Sequence, residues 1–139
     1  IGATTSTFSV SVNGDTVDEL NESFRVTLSA PVGAAIGQAF ALVEITDDDT
    51  VSLTVNDGAF GEGAGSPGAV SVTMTGTSDR AVSVNYATVP GTATNPSDFT
   101  LTSSFLNWPA GQTGTRTAPV PIIQDVLSEL PEQFSVVIP

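Results

Sequence analysis

The sequence has no cysteine, no histidine and no lysine, and its three basic residues are all arginines: Arg25, Arg80 and Arg116. Without cysteine no disulfide can form, and without cysteine or histidine the usual zinc ligands are missing. Ser–His–Asp triads, thiol nucleophiles and Schiff-base lysines are excluded for the same reason. The composition therefore excludes most enzyme classes, and we expect a protein that is not an enzyme.

Positive charge is scarce as a whole, because fifteen acidic residues outnumber the three arginines and give a net charge of -12. That charge disfavours nucleic acid and anionic membrane surfaces as partners and favours cations. The sequence contains no run of about 18 apolar residues, so no membrane insertion is expected in this segment. Its first residues show no signal-peptide pattern, and any export signal is expected upstream. The apolar fraction of 40% suffices for a globular core.

The most informative feature present is an internal repeat. Residues 1–29 align without gaps onto residues 111–139, which pairs Asp15 with Asp125, Glu19 with Glu129 and Glu22 with Glu132. The offset of 110 residues is the size of one β-sandwich domain and too long for a solenoid unit. We therefore predict that residues 1–50 are the C-terminal strands of one repeat and residues 51–139 the N-terminal and central strands of the next.

Alternation of apolar and polar residues predicts strands with one buried face. Turn-forming residues separate the alternating runs at short spacing, and no segment has helical periodicity. We therefore expect an all-β fold, an antiparallel immunoglobulin-like β-sandwich in tandem repeats with a period of about 110 residues. The predicted strands cover residues 8–12, 24–28, 51–55, 70–74 and 82–86.

Asp47, Asp48 and Asp49 stand where the two predicted repeats join, and a strand is predicted to begin at Val51. A flexible linker would be rich in glycine and serine, whereas three adjacent carboxylates repel one another unless a cation lies between them. The junction is therefore a candidate metal site. The competing interpretation, a solvated turn, is the commoner role of such a run in general.

An ordered series of motifs resembles the Calx-β domain of sodium/calcium exchangers, integrin β4 and many bacterial surface proteins. The resemblance covers nearly the whole chain. The motifs are Glu62-Gly63, residues 85–93 leading to Asp98-Phe99, residues 108–111, residues 122–125 with Glu129, Glu132 and Phe134, and, in the first half, residues 30–31 through Gly37 to residues 45–49.

In calcium-binding members of that family, carboxylates from several loops converge at one end of the sandwich. The resemblance implies Ca²⁺ as the ion, and its preference for six to eight oxygen ligands agrees with a set of carboxylates. Mg²⁺, which demands a tighter octahedron, ranks second. The implied ligands are Glu62, Asp98, Asp125, Glu129 and Glu132 in the second repeat, and Asp15, Glu19, Glu22, Asp47, Asp48 and Asp49 in the first.

The sequence departs from the calcium-rich family members at one position in each repeat. Consecutive aspartates precede the first glutamate there, whereas only Asp125 and Asp15 stand at those places in this chain. We therefore expect fewer ions or weaker binding. Neither repeat contains a whole site, because the second lacks a closing run of aspartates and the first lacks the counterparts of Glu62 and Asp98.

Some of the acidic residues have other interpretations. Glu19 and Glu22 could be plain surface residues, although both recur in the second copy. Four acids lie outside the motifs and are interpreted as solubilising charge: Asp18, Glu44, Asp57 and Asp79. Asp79 is expected to pair with Arg80 at a hairpin tip, and Asp57 is a marginal candidate ligand.

Two further functions, sugar binding and glycoside hydrolysis, are disfavoured for the aromatic and acidic residues. A sugar-binding platform could use aromatic faces, but core packing is the favoured role for the four aromatic residues in motifs. Paired carboxyls could serve a glycosidase. The acids cluster at a junction without cleft-lining aromatics, which makes that activity the weaker interpretation. The four aromatic residues are Tyr86, Phe99, Trp108 and Phe134.

The favoured function is a calcium-binding structural repeat of a long extracellular bacterial surface protein, such as a stalk, adhesin or filament. Ca²⁺ would rigidify the junctions between repeats, and the partners would be neighbouring repeats or other copies in a filament. A regulatory calcium sensor is the first alternative. The second is strand exchange, in which residues 30–49 of one chain complete the sandwich of residues 51–139 of another, although the 29-residue duplication argues against simple tiling.

Overall fold

The computed structural model describes residues 2, 4–62 and 67–139 of the chain. Gly63 of the Glu62-Gly63 motif therefore lies outside the described residues. The secondary structure of the described part consists of ten strands, in agreement with the predicted all-β class. They are β1 (Val17–Asp18), β2 (Glu22–Thr27), β3 (Phe40–Ile45), β4 (Ser52–Val55), β5 (Gly68–Thr75), β6 (Thr77–Ser78), β7 (Val82–Pro90), β8 (Ser103–Trp108), β9 (Gly114–Val120) and β10 (Phe134–Val137).

Two three-stranded antiparallel sheets form a sandwich in the second half of the chain. One sheet has the order β4-β5-β9 and the other the order β10-β7-β8. Their facing sides carry Val72, Met74, Tyr86 and Trp108, all of which are buried. This inward placement follows from the alternation in β5 and β7 that predicted these strands.

The aromatic residues pack in the core, as the favoured interpretation predicted. Trp108 and Phe99 have no exposed surface, and Tyr86 is nearly as deeply buried. The indole Nε1–H of Trp108 donates a hydrogen bond of 2.8 Å to the carbonyl oxygen of Gly114. Phe134 stacks on Phe99 with ring centroids 4.5 Å apart. These rings are therefore packing elements and do not form an exposed sugar-binding platform.

The outer face of the β4-β5-β9 sheet carries rows of neutral hydroxyl groups. Strand register places Ser52 opposite Thr75 and Thr73 opposite Thr115. The two pairs are hydrogen-bonded through their side-chain oxygens at 2.7 and 3.0 Å. Hydroxyls on this face therefore satisfy one another across the strands.

In the first half, β2 and β3 form a separate antiparallel pair. Residues 8–12 belong to no strand, so the prediction of a strand there was wrong for this structure. Their counterparts in the second copy include Val120, which belongs to β9 and pairs with β5. Among the described residues nothing takes the place of β5 beside residues 8–12, and Phe8 stays 68% exposed. Alternation alone cannot make a strand without a hydrogen-bonding partner.

The two halves of the chain meet at a small parallel contact. Val17 and Asp18 of β1 lie beside Thr77 and Ser78 of β6. Arg80 forms ion pairs with Asp18 at 3.3 Å and with Asp79 at 3.2 Å. The pairing of Asp79 with Arg80 agrees with the predicted hairpin tip. Asp18, interpreted from the sequence as solubilising charge, joins the two halves instead.

The turn between β5 and β6 lies against the linker between the halves. Gly76 has φ of +84°, and a Cβ atom there would lie 2.7 Å from the carbonyl oxygen of Thr50. Gly111 has a similar φ of +72°, with nothing within 4 Å of a Cβ atom. The two glycines therefore share a backbone conformation, but only Gly76 lies so close to another backbone atom that a Cβ atom would clash.

We expect Gly76→Ala to destabilise the protein more than Gly111→Ala. Both substitutions place a side chain in the left-handed region, which costs about 1–2 kcal/mol. Gly76→Ala adds a backbone clash, so its loss of unfolding free energy should be larger by at least about 1 kcal/mol. Urea denaturation of both variants measures the difference. Equal losses would show that the linker does not press on this turn.

Candidate metal centre

Three carboxylates from three different loops converge at one end of the sandwich. Glu62 follows β4, Asp98 lies between β7 and β8, and Glu129 lies between β9 and β10. One oxygen from each lies within 4.8 Å of those of the other two. In the part of the chain that the structure describes, this is the one set of three acids that close together. All three were predicted as ligands from the sequence.

Asp98 is held in place by its own loop. Its Oδ2 accepts hydrogen bonds from the backbone N–H of Thr94 at 2.5 Å and from the Thr94 hydroxyl at 3.1 Å. The Asp98 carbonyl accepts a bond of 2.8 Å from the N–H of Ile123, which ties this loop to the end of β9. The backbone bond from Thr94 is the main cause that lowers the pKa of Asp98, so this carboxylate is ionised across the neutral range.

The pKa values of Glu129 and Glu132 are raised, whereas that of Asp98 is lowered. Desolvation by burial raises the pKa of Glu129, and the charges of Asp125, Glu62 and Asp98 raise it further. Desolvation also raises the pKa of Glu132, followed by a hydrogen bond with Asp98 and the charges nearby. Like charges close together disfavour ionisation, and a cation among them would reverse the effect.

Asp125 forms the same local turn as its counterpart in the first copy. Its Oδ1 accepts a bond of 2.7 Å from the N–H of Leu127, and Asp15 accepts one of 2.9 Å from the N–H of Val17. Both are Asx turns, in which an aspartate carboxylate binds the N–H two residues later. The repeat found in the sequence is therefore also a repeat of loop conformation. Asp125 lies near enough to Glu129 to raise the pKa of that residue.

The predicted ligands of the first half are arranged around the start of β2. The N–H of Glu19 donates to Asp47 Oδ2 at 3.1 Å, and the N–H of Asp47 donates to Asn21 Oδ1 at 3.0 Å. The charge of Asp15 is the main cause that raises the pKa of Glu19, followed by burial and the charge of Asp79. Among the described residues of the first half, no three acids converge as Glu62, Asp98 and Glu129 do.

Asp48 and Asp49 follow Asp47 at the junction, and Glu22 begins β2 opposite Ile45. Burial is the first cause that raises the pKa of Asp49, and the charges of Asp48 and Asp47 follow. A ligand role stays a prediction for the acids of both halves, including Glu62, Asp98 and Glu129, which the structure brings together.

The sequence did not indicate two polar residues that hold candidate ligands in place. Thr94 fixes Asp98, and Asn21 connects Asp47 to Glu44 through its amide, whose Nδ2 donates to Glu44 Oε1 at 3.2 Å. Thr94 precedes Asp98 by four residues and has an Asn95-Pro96 pair between them, which is a turn signal. That signal could have identified Thr94, whereas nothing in the sequence indicates the partners of Asn21.

A cleft of about 1330 Å³ opens beside the three carboxylates. Its apolar wall includes Val55, Phe60, Val70 and Val136, and its polar rim carries Glu62, Asp98, Glu129 and Glu132. The acids therefore lie at the mouth of a partly apolar space next to β10.

Among the described residues there is no helix long and apolar enough to span a lipid bilayer.

Because burial and like charge raise the carboxyl pKa values at Glu19, Asp49, Glu129 and Glu132, we expect an unusual pH dependence. A carboxyl with a raised pKa in the folded state stabilises the fold fully below its unfolded pKa. That contribution is lost as the pH rises through the folded value. In EDTA, the melting temperature should therefore rise as the pH falls from 7 towards 4.5, the ordinary pKa of glutamate.

Calorimetric scans along this pH range measure the effect, and Glu129→Gln should reduce it because one of the raised groups is removed. Glu44→Gln, which removes one charge outside the cluster, is the matched control and should leave it unchanged. Below pH 3.8, protonation of Asp98, whose pKa is lowered, should cost stability. A melting temperature that falls steadily from pH 7 to 4.5 would contradict the prediction.

Two comparisons relate the chain to known proteins. The family model described as "Calx-beta domain" matches it twice, over residues 1–49 and over residues 44–139. The solved structure "Crystal structure of Apo-form Calx CBD1 domain" matches with 27% sequence identity and a TM-score of 0.49. That match covers 54% of this chain and 66% of the Calx chain.

The double match agrees with the internal repeat and with the β-sandwich of the second half. Together the two matched ranges include every residue that was predicted as a ligand. The chain belongs to the Calx-beta domain family.

Proposed function

We propose that this chain is a non-catalytic calcium-binding module in which Ca²⁺ joins the loops at one end of the sandwich. The convergence of Glu62, Asp98 and Glu129 carries the proposal. Two oxygens that each lie about 2.4 Å from one Ca²⁺ ion are at most about 4.8 Å apart. The separation found between the three carboxylates fits that limit. Calx-beta domains include calcium-binding members, and the three converging carboxylates supply oxygen ligands, the kind that Ca²⁺ prefers.

The role of the ion would be mechanical. Without a cation, the three carboxylates repel one another, and the raised pKa of Glu129 reflects that repulsion together with burial. A bound Ca²⁺ would offset the repulsion and connect loops that leave β4, β7 and β9. It would then stabilise the folded state by about 1.4 kcal/mol when its concentration is ten times the Kd.

We further propose that the module is one of several tandem repeats in an extracellular surface protein, with neighbouring repeats as partners. Support comes from the duplicated turns at Asp15 and Asp125 and from the contact between β1 and β6 at the junction. Asp49, whose pKa is raised at this junction, belongs to the acids on which a cation would act. Extracellular Ca²⁺ is millimolar, which suits sites with a Kd on the order of 10⁻⁴ to 10⁻³ M.

A regulatory sensor is the second candidate, and the junction contact favours it. Asp79, at the tip that contacts β1, contributes to the raised pKa of Glu19. A cation bound near Glu19 would therefore change the electrostatic potential at the contact between β1 and β6, where the two halves meet. A Kd near 10⁻⁶ M would support the sensor, because sensor sites are that tight.

Titration calorimetry of the chain with Ca²⁺ tests the proposed site directly. We expect binding with a Kd on the order of 10⁻⁴ to 10⁻³ M. Glu129→Gln should weaken the binding at least about tenfold, because it removes a charged ligand. Glu44→Gln has the same change in charge and should bind as the parent does. The absence of binding by the parent chain would overturn the calcium function.

The junction site needs a separate test. We expect the double substitution Asp48→Asn and Asp49→Asn to reduce the rise in melting temperature that Ca²⁺ produces. The reason is that two candidate ligands lose their charge there. Thermal unfolding with Ca²⁺ and with EDTA measures that rise for both proteins. An unchanged rise would show that Asp48 and Asp49 hold no ion, while leaving the site at Glu62, Asp98 and Glu129 in place.

A further inference from the structure

Asn13 and Gly14 are the only asparagine–glycine pair in the sequence, and they stand directly before Asp15. Both residues are exposed, and neither belongs to a strand. In such a pair the backbone nitrogen of the glycine can attack the side-chain amide of the asparagine, because glycine has no side chain that obstructs the approach. The reaction needs a glycine N–H that is free and an asparagine amide that no hydrogen bond holds.

The other five asparagines of the chain are each protected from this reaction. Asn21 and Asn56 are held by hydrogen bonds of their side-chain amides. Asn85 and Asn107 lie within β7 and β8, where strand pairing fixes the backbone. Asn95 precedes a proline, which has no N–H that could attack. The protection of these five residues therefore sets Asn13 apart.

Neither the side chain of Asn13 nor the N–H of Gly14 forms a hydrogen bond to a described residue. The second copy shows that this freedom belongs to the position in the repeat. Gln124 is the counterpart of Gly14 there, and the loop of Asp98 lies beside it, since the N–H of Ile123 donates to the carbonyl of Asp98. Gln124 is nevertheless exposed, and its N–H has no partner among the described residues. The open N–H at Gly14 thus does not depend on which other strands of the repeat are present.

We propose that Asn13 is a deamidation site, at which the chain converts an amide into a carboxylate without the help of an enzyme. The backbone nitrogen of Gly14 loses its proton and forms a bond to Cγ of Asn13. The bond from Cγ to the side-chain nitrogen breaks, and that nitrogen takes up a proton and leaves as ammonia. Water then opens the cyclic imide at either carbonyl. The product carries aspartate or isoaspartate at position 13, in both cases with one more negative charge.

The new carboxylate would stand close in sequence to Asp15, among the acids of the first half. The charge of Asp15 already acts on Glu19, whose pKa it raises. A further negative charge in the same loop would add to that repulsion. Deamidation would therefore destabilise the chain without cations and increase the stabilisation by Ca²⁺. The effect on Ca²⁺ rests on the proposed function, whereas the modification itself does not.

Mass spectrometry of the full 139-residue chain, kept at neutral pH and sampled over weeks, tests the proposal. Trypsin cleaves after arginine and therefore releases residues 1–25, which contain Asn13 and Asn21. We expect this peptide to gain the mass difference between an amide and an acid, and fragmentation should place the gain at Asn13. The peptides with the other four asparagines should keep their mass. No gain at Asn13, or an equal gain at Asn21, would overturn the proposal.

Two glycine variants test which nitrogen attacks. A Cβ atom at Gly14 would have no described atom within 4 Å, so alanine fits there, and its methyl group obstructs the attack. We expect Asn13 to deamidate at least about tenfold more slowly in Gly14→Ala than in the parent. Gly37→Ala, at a glycine with equally open surroundings, is the matched control and should leave the rate unchanged. Equal rates in the two variants would overturn the attack by Gly14.

Two further variants separate the modification from the calcium function. Asn13→Asp copies the aspartate product, and Asn13→Gln keeps an amide. In EDTA, we expect Asn13→Asp to melt at a lower temperature than Asn13→Gln, and Ca²⁺ should raise its melting temperature by more. Equal melting of the two variants in both media would contradict the effect on stability. No response of the parent chain to Ca²⁺ would overturn the proposed function, whereas a mass gain at Asn13 would still establish the modification.

Discussion

The packing of Trp108 and Met74 between the two three-stranded sheets is the interaction on which the rest of the structure depends. Both side chains are almost completely buried, and each belongs to a different sheet. Burial of large apolar side chains is the main source of stability in a sandwich of this size. Because this layer fixes the two sheets relative to each other, the loops that leave their ends have defined starting points. Asp98 and Glu129 can converge only for that reason.

The sequence predicted the fold class and three of the seven strands of the second half, β4, β5 and β7. Two of these, β5 and β7, alternate between buried and more exposed residues. The prediction was wrong for residues 8–12, whose alternation is equally clear. The difference lies in the partners: Val120 is fully buried in β9, whereas its counterpart Val10 is 52% exposed. Periodicity describes one strand at a time, and a strand exists only through hydrogen bonds to another.

The candidate site was also predictable in part. Spacing and family resemblance selected Glu62, Asp98 and Glu129, and the structure brings these three together. The sequence could not show that Asp98 is fixed by Thr94 while Glu132 shares its surroundings, because those relations depend on how a loop folds back. It also could not show that Asp18 pairs with Arg80, since 62 residues separate them in the chain. Long-range polar contacts leave no local pattern.

The hydroxyl rows on the outer face of the β4-β5-β9 sheet give the molecule a second kind of surface. Ser52, Thr73, Thr75 and Thr115 carry no charge, and their hydroxyls bind one another across the strands. The acidic end carries carboxylates whose ionisation depends on pH, whereas neutral hydroxyls do not titrate and are little affected by salt. Changes of pH and salt therefore leave the chemistry of the hydroxyl face the same. One small domain thus combines a surface that titrates with one that does not.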